Sequence, residues 1–337
     1  MQITQELNKS DIELINKLDG PIVVIGASGF IGANLLRVLS KVRDDVFGTF
    51  YSKKGWRLLG FDSEKLKKLD INNENSINDM VKKIYPKIVF NCSSYGAYSF
   101  EKDTTKILNT NYNAVTKLVK ILKTYSISAF IHSGSSSEYG ENCSAPSESD
   151  FCSPNSSYSL SKLAATNYLR EVSKNNDFPC IILRLYSVYG PLEDTSRLVP
   201  AIVLNALENK FPELVDPEIS RDFVYISDVC NAFIKSACII NKRMYGEIFN
   251  IGSGEKTTIR NIVDISKNVF NIRKKPSFGK MKKRRWDLKD WYSNPKKAEV
   301  ILNWKSITSL ELGLKQTSMW IRTINDKKRL TKKEDEK

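Results

Sequence analysis

The stretch Ile22-Val-Val-Ile-Gly26-Ala-Ser-Gly29-Phe-Ile-Gly32 constrains this chain more than any other part of it. Four β-branched residues run into three glycines spaced three apart, and apolar residues at helical spacing follow as far as Leu39. A short apolar run of this kind reads as a buried strand, and the glycines place a tight turn between it and a helix. Gly26 permits the turn, Gly29 lets the backbone approach a pyrophosphate, and Gly32 lets the helix pack close to the strand. The free N–H groups at the helix start attract an anion. Gly26, Ser28, Gly29, Phe30, Ile31 and Gly32 are therefore candidate contacts to a dinucleotide.

The first half continues this alternation, with strands expected at 22–25, 46–50, 88–91, 129–132 and 180–185, and a later one at 248–251. Helical patterns fill 29–39, 76–84, 106–125 and 158–174, and an extra helix over 9–19 is expected to be capped by Ser10 or Asp11. The pattern is that of an α/β fold, a Rossmann-type doubly wound parallel sheet. After Gly190, Pro191, Pro200, Pro212 and Pro217 interrupt the regularity. The expected division is a helical extension over 1–20, then a dinucleotide-binding domain over 21–190 to which 226–257 return. Segments 191–225 and 258–325 form a smaller substrate-binding lobe, and 326–337 a flexible basic tail.

With 41% hydrophobic residues in 337, the chain can bury a sizeable core. Its apolar runs fall well short of the ~20 residues of a membrane span, and the polar N-terminus has no signal core. Six scattered cysteines without a CxxC pair read as reduced thiols of a cytoplasmic protein. One histidine and no clustered cysteines speak against a metal site. The net charge of +14 raises nucleic acid as a partner, but much of the excess lies on helix faces and in the tail. Only 274–285, KKPSFGKMKKRR, is densely basic, and a phosphorylated small molecule could use it equally well.

An acid at the end of the second strand would bind a ribose 2′-hydroxyl and repel a 2′-phosphate. Here the stretch reads Val46-Phe-Gly-Thr-Phe-Tyr-Ser-Lys53-Lys54, with no acid and two lysines. NADP(H) is therefore favoured slightly over NAD(H), with Lys53 as a candidate contact. Asp70, followed by Ile71, sits where the third strand should end and could bond the adenine amine.

Tyr158-Ser-Leu-Ser-Lys162 places a phenol and an amine four apart, on one face of a helix. A phenol titrates near pH 10, and a neighbouring ammonium is expected to lower that value enough for Tyr158 to act as acid or base. The helix follows the fifth strand, whose end reads Ser133-Gly-Ser135-Ser-Ser-Glu-Tyr-Gly140. Ligands in such sheets sit at the carboxyl ends of strands, so Ser135 and Tyr158 should converge there. His132, the single histidine, reads as a packed pocket residue rather than a catalytic one.

These segments, with TNYNAVTKLV, RLYSVYGP, RDFVYISDV and NPKKAEVILNW, resemble an extended short-chain dehydrogenase/reductase of the NAD-dependent epimerase/dehydratase family. The likeness runs from about Pro21 to Trp320. It implies an enzyme that moves hydride between NAD(P) and C4 of a nucleotide-diphosphate sugar. Ser135, Tyr158 and Lys162 would be catalytic, Lys162 also binding the nicotinamide ribose. Asn111 would hold the backbone beside the nicotinamide, and Arg221 and Arg284 would bind the diphosphate. Tyr95, Ser136 and Ser187 would line the sugar, and the family implies a homodimer made by two helices from each subunit.

Two outcomes share this half-reaction, a 4-epimerase that retains NAD and a 4-keto reductase that exchanges NADPH. The serine-rich loop and the Tyr95-Gly-Ala-Tyr98 stretch resemble deoxysugar synthases of the second kind. The family's 4,6-dehydratases carry an Asp-Glu pair after the catalytic Ser or Thr. Here those places are Ser136 and Ser137, and Glu138 comes one position late, which should aim it elsewhere. Dehydration is thus an alternative, as is a non-catalytic dinucleotide sensor that has kept the fold.

Overall fold

The computed structural model describes residues 7–281, 284 and 287–323; the expected tail over 326–337 and parts of 1–20 and of the 274–285 basic stretch lie outside the described residues. Along the chain run α1 (Lys9–Asn16), β1 (Ile22–Ile25), α2 (Phe30–Ser40), β2 (Val46–Phe50), β3 (Leu66–Lys68), α3 (Glu74–Ile84) and β4 (Ile88–Asn91). Then come α4 (Thr104–Leu108), α5 (Ala114–Leu122), β5 (Ala129–Ser135), α6 (Ser157–Asn176), β6 (Cys180–Leu185) and β7 (Ser187–Tyr189). The last third holds α7 (Leu198–Ala206), β8 (Ser220–Arg221), β9 (Phe223–Tyr225), α8 (Ile226–Ile239), β10 (Glu247–Ile251) and β11 (Thr257–Thr258). It ends with α9 (Ile259–Phe270), α10 (Lys296–Ile301) and α11 (Leu310–Arg322).

Seven strands form one sheet in the order β10-β6-β5-β4-β1-β2-β3, every pair parallel. The chain travels outward from β1 to β3, then returns to β4 and travels the other way. The order therefore reverses between β1 and β4, which opens a crevice at their carboxyl ends. Alternate side chains feed two layers. Ile22, Val24, Phe90, Ile131 and Leu183 pack under α1, α2 and α8, while Val23, Ile25, Val89, Phe130 and Ile182 pack under α3, α5 and α6. Strands buried on both faces need no polar alternation, which is why β1 is β-branched throughout. Each such side chain contributes about 1.5–3 kcal/mol when fully buried.

The segments outside the sheet make two short pairs, β7 beside β9 and β8 antiparallel to β11. Leu214, Ile219, Ile259 and Val263 form their own cluster there. The buried Asp228 of α8 ties in the last helices by accepting from the Ile307 and Thr308 amides. Gly313 of α11 packs directly on the Tyr189 ring, where a side chain would not fit.

Three elements differ from expectation by more than one or two end residues. The first helix ends at Asn16, and its cap is Asn8, whose side chain accepts from the Asp11 N–H at 2.8 Å. Asn is among the best capping residues, and it precedes both residues expected to do this work. The helix expected over 106–125 begins at Thr104, capped by Asp103, and is interrupted by a π turn over Asn109–Asn113. One extra residue in a turn leaves an apolar stripe nearly intact, so the sequence pattern conceals it. β5 runs three residues past His132, to Ser135.

Candidate active site

Gly26 adopts φ +76, and an added Cβ there would come 2.8 Å from the Ser93 amide of the β4 end. At Gly32 a Cβ would collide with the Gly26 carbonyl, whereas at Gly29, which is exposed, it would meet only that carbonyl at 3.2 Å. Gly29 is the N-cap of α2 and makes no side-chain cap bond; the first turn carries no acid. The N–H groups of Phe30, Ile31 and Gly32 thus face the crevice mouth without a competing anion, with Ser28 beside them half-buried. A diphosphate fits this cradle. Lys53 and Lys54 are exposed past the end of β2. Asp70 lies two residues beyond β3, its Oδ1 accepting from the Asn72 amide at 2.9 Å, and Ile71 is buried next to it.

Ser135, at the end of β5, and Tyr158, in the first turn of α6, meet at the same crevice. The Tyr158 hydroxyl is within hydrogen-bonding reach of Ser135 and of Ser94 after β4. Burial pushes the Tyr158 phenol up, while those two hydrogen bonds and the Arg197 charge act the other way. The lowering expected from Lys162 is not what this geometry gives. The buried Lys162 amine instead donates to the Ser133 carbonyl, and burial pushes it down to about 8.

Asn111 sits in the π turn and is buried. Its Oδ1 accepts from the Tyr95 N–H at 2.9 Å; its Nδ2 donates to the Tyr95 carbonyl at 2.8 Å and to Ser161 Oγ at 2.9 Å. It therefore joins the loop after β4 to the residue preceding Lys162. A π turn at such a junction is common near functional sites.

Glu138 points inward. Its Oε1 accepts from the Ser135 N–H at 2.8 Å, and its Oε2 from Arg184 Nε of β6 at 2.9 Å. His132 Nδ1 lies 3.1 Å from Asn91 Nδ2, while its Nε2 is buried without a partner. Burial and the Lys162 charge both push its pKa well down, so it is neutral at ordinary pH.

Of the residues expected to line the substrate, Tyr95 has the Lys106 ammonium 4.3 Å from its ring centre, and Ser136 Oγ accepts from Trp291 Nε1 at 3.2 Å. Ser187 opens β7, its N–H donating to the Asp222 carbonyl at 2.9 Å. Arg221 pairs with Asp287 at 2.7 Å and lies 4.7 Å over the Trp291 ring. The Arg284 backbone N–H donates to the other oxygen of Asp287 at 2.8 Å, so this carboxylate takes Arg221 by its side chain and Arg284 by its backbone. Sequence reasoning missed Ser94, Arg184 and Arg197, the last 4.7 Å over the Tyr98 ring. Ser94 carried a usable signal, since it follows a strand that ends at the crevice.

Residues 22–252 match the NAD dependent epimerase/dehydratase family. An uncharacterized UDP-glucose epimerase of Bacillus subtilis (strain 168) is 26% identical over 306 residues, 87% of this chain and 95% of that protein. The dTDP-4-dehydro-6-deoxyglucose reductase of Escherichia coli is 31% identical over 180 residues, 52% of this chain and 55% of that one. Among solved structures, the UDP-glucuronic acid 4-epimerase of Bacillus cereus, in complex with UDP-glucuronic acid and NAD, is similar with a TM-score of 0.79. It is 26% identical, and the match covers 90% of this chain and 99% of that one.

Proposed function

Because the chain belongs to the NAD dependent epimerase/dehydratase family, we propose that it is a nucleotide-sugar 4-epimerase or 4-keto reductase with Tyr158 as its acid–base group. The observation that carries this is the convergence of Ser135 and Tyr158 at the crevice where the sheet order reverses. Bound along Gly26–Gly32, a nicotinamide dinucleotide supplies the hydride acceptor or donor. Tyr158 exchanges the proton of the C4 oxygen, and Ser135 hydrogen-bonds the same oxygen. Lys162 holds the nicotinamide ribose, and Asn111 keeps the Tyr95 loop against α6. Arg221 and Arg284 neutralise the sugar-nucleotide diphosphate, with Tyr95, Ser136 and Ser187 around the sugar. The substrate-binding lobe expected over 191–225 and 258–325 contributes Arg221 and Arg284 to those contacts.

The NAD in the Bacillus cereus epimerase supports NAD as cofactor. NADP(H) rests only on the stretch itself, Val46 to Lys54, which lacks an acid and ends in two exposed lysines. The family resemblance supports a homodimer formed by two helices of each subunit. Six unpaired cysteines support a reducing, cytoplasmic setting. Dehydration has less support, since Ser136 and Ser137 stand at the carboxylate positions and Glu138 is turned beneath the strand end.

The test is turnover of UDP-glucose, UDP-glucuronic acid and dTDP-4-dehydro-6-deoxyglucose with NAD(H) and NADP(H), with mass spectrometry of any copurifying dinucleotide. Tightly held NAD with interconversion of C4 epimers identifies an epimerase, and NADPH consumption a reductase. Full turnover by Tyr158→Phe would remove the acid–base assignment.

A further inference from the structure

Glu138 is the least expected residue of the site. It has no exposure to solvent, yet its carboxylate lies next to the catalytic machinery rather than in it. Both oxygens are engaged, one by the Ser135 N–H at 2.8 Å and the other by Arg184 Nε at 2.9 Å. Arg184 is itself buried, its guanidinium 4.5 Å over the Tyr139 ring and its Nη1 donating to the Glu148 carbonyl. Gly134 makes the arrangement possible, because a Cβ there would stand 2.9 Å from Ile182 Cγ2 and 3.0 Å from Glu138 Oε1. An ion pair this deep adds little net stability against its desolvation cost. Its place accounts for it better, since it holds the Ser135 N–H of the same strand end whose Ser133 carbonyl takes the Lys162 amine.

We propose that Glu138 is a positioning residue that fixes the Ser135 backbone through one carboxylate oxygen and supplies the counter-charge under which Lys162 works. This rests on the roles given above to Ser135 and Lys162. Two groups other than Glu138 act electrostatically with Lys162. Cys92 after β4 has its thiol pushed up to about 12 by burial, and His132 of β5 is held neutral. Both are uncharged at neutral pH, so Glu138 is the anion that acts on Lys162 among the described residues. Burial drives Lys162 down to about 8 and Glu138 opposes it. Without the carboxylate, the amine would lose its proton within the neutral range. Around Glu138 itself stand Arg184, Lys162, Tyr139, Tyr158 and Cys152.

The decisive experiment is NMR titration of the full chain carrying 13Cε-lysine, with the Lys162 signal identified by its loss in Lys162→Met. Lys162 should titrate near 8 in the unaltered protein. In Glu138→Gln, which retains an acceptor for the Ser135 N–H, it should fall by about one unit or more. In Glu138→Asp the charge remains and the titration should stay near its original value, while kcat falls because the Ser135 contact is loosened. An unchanged titration in Glu138→Gln would overturn the proposal. Should Glu138→Gln fail to fold around an unpaired Arg184, Glu138→Gln/Arg184→Gln removes that charge as well. Arg184 is not among the groups acting on Lys162, so the same fall is expected there. The titration needs no substrate, so failure of the acid–base assignment, read from Tyr158→Phe turnover, stays separate from failure of this one.

Discussion

Asn111 closes a two-point clasp on the backbone of Tyr95, accepting from its N–H at 2.9 Å and donating to its carbonyl at 2.8 Å. The same amide reaches Ser161 Oγ, so one side chain from a π turn couples the loop after β4 to the helix that bears Tyr158 and Lys162. Asn111→Ala leaves buried backbone groups unsatisfied. It should cost about 1–3 kcal/mol of stability, read by denaturant unfolding. Turnover should fall more than dinucleotide affinity, because the loop carrying Ser94 and Tyr95 loses its anchor while the glycine turn is untouched.

Gly32→Ala should act in the opposite sense. The added methyl collides with the Gly26 carbonyl and forces α2 away from the phosphate turn. Affinity for NADH and NADPH, measured by fluorescence titration, should fall at least about tenfold, a loss of roughly 1.4 kcal/mol. Tm should fall as well.

The lysines past β2 give a direct test of cofactor choice. If Lys53 and Lys54 meet a 2′-phosphate, Lys53→Ala/Lys54→Ala weakens NADPH by about tenfold and leaves NADH unchanged. Equal affinities before and after the change would assign both side chains to the solvated surface.

Glu193 supplies a pH prediction. It is buried, one oxygen lacks a partner, and burial pushes its carboxyl up to about 8, with Arg197 opposing. A carboxyl whose folded value lies above its unfolded value holds a proton in the folded state that the unfolded state has released. Stability therefore declines as pH rises from about 4.5 to about 8. Relative to Glu193→Gln, the unaltered protein should lose about 2–5 kcal/mol across that window. Urea unfolding of both proteins at pH 5 and pH 8 measures the difference.

Much of the fold is legible because burial leaves a periodic trace. β1, β2, β4 and β6 fall where their apolar runs place them, and α2 and α6 differ from expectation by one or two residues at their ends. The glycine turn is equally readable, since a positive φ and two close backbone approaches admit nothing larger. The convergence of Ser135 with Tyr158 follows from strand order once both are assigned to strand ends. Other features leave no such trace. The π turn hides inside a continuous helical stripe, and Asn8 caps α1 from outside its apolar pattern. Arg197 reaches Tyr98 across nearly a hundred residues, from a loop whose path no local preference determines. For Glu138, the alternation expected of an extended segment does not apply, because Ser136–Tyr139 form a 3-10 turn in which Glu138 reaches back to the Ser135 N–H. Its partner Arg184 lies on a neighbouring strand, and only the assembled sheet reveals it.

The edge strand β10 arrives late. It pairs with β6 in register from Ile181↔Glu247 to Leu185↔Ile251, yet the chain between them builds β7 to β9, α7 and α8 first. During synthesis, β6 therefore waits with one row of N–H and C=O groups open while more than sixty residues emerge. That interval is when a nascent chain is most prone to pair wrongly with another copy. A version ending before Glu247 would carry the glycine turn, Ser135, Tyr158 and Lys162 and still be a poor candidate for soluble expression.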